Sequence, residues 1–206
     1  MIIDGKEWVS MEKEFHKRNF YDLLLMSFDH LTENSLVFDI GGYRGDWSSD
    51  IYSRYNCNIY VYEPVKTFFN IINLRFSKNK KITAFNFGIY NENTDLDLYL
   101  NNDGTSIYKS KDVKNSIKCK MVDVYDILKD SYVDLISINA EGSEYSILTR
   151  LLETGCINRV KCLLIQYHYF MENDKNNRIS INTDMKNRGF SCTFEYPFYW
   201  ECWRNL

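Results

Sequence analysis

Five polar residues in this 206-residue chain each stand at the end of a short apolar run. Asp39 sits near the end of Leu36-Val37-Phe38-Asp39-Ile40. Glu63 follows Ile59-Tyr60-Val61-Tyr62, Asn139 and Glu141 follow Val133 to Ile138, and His168 follows Val160 to Tyr167. Open parallel sheets bind ligands beyond the carboxyl ends of their strands, so such runs would gather these groups at one mouth. Carboxylates there can hold hydroxyls or a cation. An imidazole with an ordinary pKa of about 6.5 can move a proton near neutrality.

The densest of these stretches runs from Leu36 to Glu63. An apolar run turns through Gly41-Gly42-Tyr43-Arg44-Gly45, enters a helix from Asp46, and continues into a second apolar run that stops at Glu63-Pro64. Strand, glycine turn, helix, strand and terminal acid form a βαβ unit that binds a nucleoside. One glycine is expected to allow the sharp turn and another the close approach of backbone amides to a ligand. Glu63 lies 24 positions after Asp39, near the offset of about 20 at which a carboxylate takes ribose hydroxyls. A dinucleotide fingerprint needs Gly-x-Gly-x-x-Gly, and Tyr43 stands where the middle glycine would be. An acid before the glycines suits a ligand with an ammonium group better than one with a pyrophosphate. S-adenosylmethionine carries that ammonium, and Asp39, Gly41, Gly42, Gly45, Glu63 and Asn139 are the expected cofactor residues.

Composition narrows the alternatives. Hydrophobic residues make up 45% and aromatics 16% of the chain, enough for a core and too much for disorder. A net charge of −3, with no local Lys and Arg cluster, offers no field for a nucleic-acid backbone. No apolar run approaches the roughly 20 residues of a membrane helix, and the N-terminus lacks the order of a signal peptide. The six cysteines show no C-x-x-C spacing, the usage of a reduced, cytoplasmic protein.

The chain is expected to form one domain over 1–206, with an N-terminal helical segment over 1–35 and an α/β core over 36–206. Apolar residues at three- and four-residue intervals predict helix from 6 to 31, packed across an edge or mouth of the sheet. Pro64 is expected in the first turn of a helix reaching Phe76. A third strand is expected over Ile82 to Phe87, then an extended stretch with Leu96, Leu98 and Leu100. Gly104 to Lys118 reads as a polar loop, followed by a short strand end and helix over Met121 to Leu128. Val133 to Ile138 is nearly continuous in apolar character, as a doubly covered strand should be. A helix over Ser143 to Glu153 closes at Gly155, and Val160 to Tyr167 is a fifth strand. A short helix near Ile181 to Lys186 precedes an antiparallel pair, Phe190 to Glu195 and Phe198 to Trp203, turned at Pro197. The architecture is an α/β layer sandwich.

Two stretches together resemble the FkbM-type S-adenosylmethionine-dependent methyltransferases. Val37-Phe38-Asp39-Ile40-Gly41-Gly42-Tyr43-Arg44-Gly45 is similar to the family's first motif. Val133 to Glu144, reading VDLISINAEGSE, is similar to its second, I-K-I-D-x-E-G-x-E. Val61-Tyr62-Glu63-Pro64 resembles its acid-proline strand end. The resemblance implies the class I methyltransferase (Rossmann-like) fold, a three-layer sandwich with a mostly parallel seven-stranded sheet and one antiparallel strand. It also implies O-methylation of a sugar or glycan hydroxyl, or of a related small metabolite. The family's lysine falls on Ser137 and its aspartate on Asn139, and an amide cannot act as a base. The base is therefore expected at His168, with Glu141 second, as a base or as one ligand of a hard cation such as magnesium. Two other readings stand beside this one: a nicotinamide-dependent Rossmann oxidoreductase, and a relative that binds the donor without turnover.

Overall fold

The computed structural model describes residues 5–101, 104–106, 115–196 and 200–205. Two helices, α1 (Gly5–Lys17) and α2 (Phe20–Met26), lead into β1 (Leu36–Ile40), α3 (Asp46–Tyr55), β2 (Asn58–Tyr62), α4 (Lys66–Arg75) and β3 (Ile82–Phe85). Four strands and a helix follow: β4 (Gly88–Tyr90), β5 (Thr94–Asn101), β6 (Gly104–Ser106), β7 (Ser116–Asp123) and α5 (Val124–Leu128). The chain then forms β8 (Leu135–Ile138), α6 (Glu144–Thr154), a 3-10 turn at Cys156–Arg159, β9 (Cys162–Gln166) and α7 (Asp174–Asn187). It ends with β10 (Phe190–Tyr196) and β11 (Trp200–Asn205).

Seven strands make the main sheet, in the order β10-β11-β9-β8-β1-β2-β3. Parallel pairing joins β9, β8, β1, β2 and β3, while β11 runs antiparallel to both β9 and β10. The expected mostly parallel sheet with one reversed strand is thus the sheet observed. Alternation along each strand sends successive side chains to opposite faces. Phe38, Ile40, Ile136, Ile138, Leu163 and Ile165 enter one core, with apolar residues of α5, α6 and α7. Val37, Ile59, Val61, Leu135 and Leu164 enter the other, with Phe15, Leu24, Leu25, Ile51 and Ile72 of α1 to α4. Covering both faces is why the central strands read as apolar runs. Ile138 is fully buried, and Ile138→Ala would cost about 2–5 kcal/mol.

Several boundaries depart from the sequence expectation. The third strand stops at Phe85, and Gly88 opens a strand of a second sheet, ordered β4-β7-β5-β6. The stretch read as a loop from Gly104 to Lys118 supplies β6 and the start of β7; residues 107–114 lie outside the described residues. Pro64 precedes the N-cap Val65 and so stands just ahead of the helix. Helix α7 is far longer than the expected turn at 181–186 because its buried stripe is partly polar: Asp174, Arg178, Ile181 and Met185. Arg178 pairs with buried Glu201, which also accepts from Trp203 Nε1 at 2.6 Å, so the charges are not stranded. The expected turn residue Pro197 lies outside the described residues. Among the described residues no helix is long and apolar enough to cross a membrane.

Candidate active site

Strand β1 is the point at which the winding reverses, with β2 and β3 to one side and β8 and β9 to the other. Neighbouring strands diverge into a crevice at such a switch point. The loop after β1 is held there by its own backbone. Gly41 and Gly42 both donate their amides to the Tyr62 carbonyl, at 3.0 and 3.3 Å, and Tyr43 donates its amide to Glu63 Oε2 at 2.8 Å. Gly41 has φ 88°, and a Cβ added there would stand 1.9 Å from the Asn139 carbonyl oxygen. At Gly42 the Cβ would meet Val61 at 2.2 Å, and at Gly45 it would meet Phe76 at 2.7 Å. The glycines let protein approach protein. The close approach to a ligand expected of one of them is not where their missing side chains point.

That bonding also removes the basis for a dinucleotide. A pyrophosphate needs free amides at this turn. The amides of Gly41, Gly42 and Tyr43 are taken by the Tyr62 carbonyl and the Glu63 carboxylate.

A cleft of about 740 Å³, open mouth included, lies over the ends of β1, β2 and β8. Glu63 forms its polar edge. Its second oxygen accepts from the Val65 amide at 2.8 Å, which leaves each oxygen a further lone pair. Burial pushes the Glu63 carboxyl up to about 7, against the pull of the Val65 and Tyr43 amides. Apolar walls come from Phe68 of α4 and from Leu98 and Met121 of the second sheet. Tyr43 holds φ 49°, a strained backbone for tyrosine, and its ring meets Phe68 at 4.5 Å.

A second cavity of about 720 Å³ shares Gly41, Tyr43 and Asn139 with the first and opens toward α1 and α2. Asp39 lines it, buried, accepting a 2.5 Å hydrogen bond from Ser48 Oγ. Burial pushes Asp39 up to about 6, and Ser48 only partly offsets this. Among the described residues, two buried polar atoms of residues lining this cavity have no hydrogen-bond partner, the Asn139 side-chain oxygen and Trp47 Nε1. One accepts and the other donates. Buried polar groups are rarely left so.

Glu141, Glu144 and His168 come together at the ends of β8 and β9. Ile138 lies beside Ile165, so three residues further on Glu141 comes level with His168, while Asn139 comes level with Gln166. Glu144, fully buried, accepts from the Ala140 amide at 3.0 Å and the Gly142 amide at 2.8 Å, which fixes the loop around Glu141. Glu141 takes φ 49° in that loop, and its carbonyl accepts from Ser106 Oγ at 2.8 Å. His168 Nδ1 is 2.8 Å from Glu144 Oε1, and its Nε2 is 3.4 Å from Glu141 Oε1. Burial pulls the imidazole down, but the two carboxylates outweigh it and raise His168 to about 10. An imidazolium has no lone pair with which to take a proton. Both ring nitrogens of this expected base thus face carboxylates.

All eight expected site residues lie at this end of the sheet. Asp39, Gly41, Glu63, Asn139 and Glu141 line the two cavities, Gly42 and Gly45 shape the loop, and His168 stands behind Glu141. Sequence reasoning missed Tyr43 as a wall, and it missed Phe68, Leu98, Met121, Trp47, Gln166 and Trp200. The alternating leucines of β5 were legible, but not their destination. Among the described residues no group of three or more His, Cys, Asp or Glu side chains is placed to hold a metal ion.

Residues 39–192 match the model of the methyltransferase FkbM domain. No curated protein matches the chain by sequence. Among solved structures, the chain is similar to an rRNA methylase from Streptococcus thermophilus (12% identity, 88% of this chain and 95% of that one, TM-score 0.54). It is also similar to a protein from Staphylococcus aureus assigned as a caffeoyl-CoA O-methyltransferase (12%, 96% and 92%, TM-score 0.54). A third is a precorrin-6y C5,15-methyltransferase from Geobacter metallireducens (12%, 88% and 86%, TM-score 0.50). At these identities the likeness is one of fold, the class I S-adenosylmethionine-dependent methyltransferase fold.

Proposed function

The chain belongs to the FkbM methyltransferase family, and on that premise we propose that it methylates a hydroxyl of a sugar, glycan or related small metabolite, with S-adenosylmethionine as donor. The observation that carries the reading is the pair of cavities meeting at Gly41, Tyr43 and Asn139. One offers Glu63 to ribose hydroxyls and an apolar wall to adenine. The other offers the zwitterionic end of the donor an Asp39 carboxylate, the Asn139 oxygen and the Trp47 indole N–H, the last two lacking partners in the protein. The donor supplies a methyl group already activated on sulfur. The protein's own task is alignment, which can contribute about 7–11 kcal/mol. An acidic mouth and a net charge of −3 favour an uncharged acceptor over a phosphate backbone. The six free thiols support a cytoplasmic setting for the reaction.

Calorimetry with S-adenosylmethionine and S-adenosylhomocysteine tests the first half, with micromolar binding expected. Labelled donor, offered with free monosaccharides and with cell extract, tests the second. Tight donor binding with transfer to no acceptor would mark a binding relative instead.

A further inference from the structure

The array at the ends of β8 and β9 goes further than donor binding, and the inference rests on the methyltransferase reading. We propose that Glu141 is the catalytic base and that His168 is a positioning residue, a fixed cation that holds the Glu141 carboxylate in place. Three observations carry this. First, both ring nitrogens of His168 face carboxylates, at 2.8 and 3.4 Å, so the ring has no free edge for a substrate. Second, exposure falls along the array: the side chain of Glu141 is 28% exposed, that of His168 8%, and that of Glu144 0%. Glu141 alone of the three lines the cleft that also holds Glu63 and Asn139. Third, each member is pinned from behind. Glu144 is tied to two loop amides, the His168 carbonyl accepts from Tyr145 Oη at 2.8 Å, and the Phe170 ring stacks on the imidazole at 5.7 Å. Among the described residues the phenols of Tyr145 and Tyr169 lie nearby in the chain, both pushed up by burial and uncharged near neutrality.

Asn139 cannot take a proton, and this array replaces that function one turn of loop away. In the step, the acceptor O–H bond breaks and its proton passes to a Glu141 oxygen. The electron pair left on the acceptor oxygen forms the new bond to the methyl carbon. The carbon–sulfur bond breaks with its pair remaining on sulfur as a thioether. His168 keeps its proton throughout, and its contacts to both carboxylates hold the Glu141 side chain in place.

The chain has three histidines, so their ring nitrogens can be resolved by ¹⁵N NMR without an acceptor. With both nitrogens protonated, the His168 ring should persist at about pH 8, well above an ordinary imidazole. It should lose its proton at lower pH in Glu141→Gln, and a neutral wild-type ring at that pH overturns the proposal. With labelled donor and a monosaccharide acceptor, Glu141→Gln should lower kcat by about 10²–10⁴ at every pH, with donor affinity near wild type. His168→Gln, which removes the charge but keeps a hydrogen-bond donor, should lower kcat by less than Glu141→Gln does and leave donor affinity near wild type. Loss of turnover at all pH in His168→Gln, with Glu141→Gln active, would overturn the assignment. Failure of the wild type to bind the donor would break the methyltransferase reading instead, and the ring measurement would remain independent of it.

Discussion

The two ends of the candidate site treat buried carboxylates in opposite ways. At the β8–β9 end, Glu141 and Glu144 flank the His168 imidazole and raise its pKa. At the β1–β2 end, Asp39 and Glu63 are both buried, receive a hydroxyl and two amides among the described residues, and are both pushed upward, to about 6 and about 7. One end has its countercharge built in and the other lacks it. Leaving acids unpaired costs stability, and sites that bear such a cost are commonly those where a ligand completes the charge. A sulfonium donor with an ammonium group would do so.

Four substitutions would break or sharpen this contrast. Gly41 is the seam between the two ends, and Gly41→Ala places a methyl group 1.9 Å from the Asn139 carbonyl at a φ of 88°. A loss of more than about 4 kcal/mol is expected, enough to threaten folding, and thermal denaturation would measure it. Near-wild-type stability would mean that the ends of β1 and β8 are not locked together. Glu63→Ala removes a charge-assisted acceptor from the ribose position. Donor binding should weaken by about 1.5–3 kcal/mol, and calorimetry showing unchanged affinity would take Glu63 out of the site.

Asp39→Asn tests the unpaired charge directly. Burial gives Asp39 a higher pKa in the folded protein than the 3.8 of a free aspartate, so the folded state holds the proton more tightly. The stability this confers is full below about pH 3.8 and is lost as the pH rises through about 6. Urea unfolding should find variant and wild type closest at pH 4, with the variant more stable at pH 8 by about 1–3 kcal/mol. Donor affinity should fall in the same variant. Parallel stability curves across that range would show that Asp39 carries no unpaired charge. The smallest effect is a control away from both ends: Gly155 closes α6 at φ 73°, with nothing within 4 Å of an added Cβ. Gly155→Ala should cost only about 1 kcal/mol in thermal unfolding, from backbone strain alone, and should leave donor binding unchanged.

The sequence by itself determined the elements whose signals are local. The apolar runs of β1, β2, β8 and β9, the turn at Gly41 to Gly45 and the glycine after α6 all follow from side-chain period and backbone freedom, which a short window contains. Those runs also placed Asp39, Glu63, Asn139 and Glu141 at strand ends, because a polar residue that stops an apolar run needs no partner to be seen. The tertiary structure decided what depends on register between distant segments. Pairing of Ile138 with Ile165 sets His168 beside Glu141 and gives Asn139 the company of Gln166 instead. Two carboxylates, from one loop and one helix, close on the histidine and raise its pKa, a field that no local spacing announces. The long α7 was hidden for the same reason. Its buried Arg178 looks like a surface residue until Glu201 of β11 arrives from elsewhere in the chain to pair with it, while Asp174 is satisfied by the neighbouring amides of Phe170 and Met171.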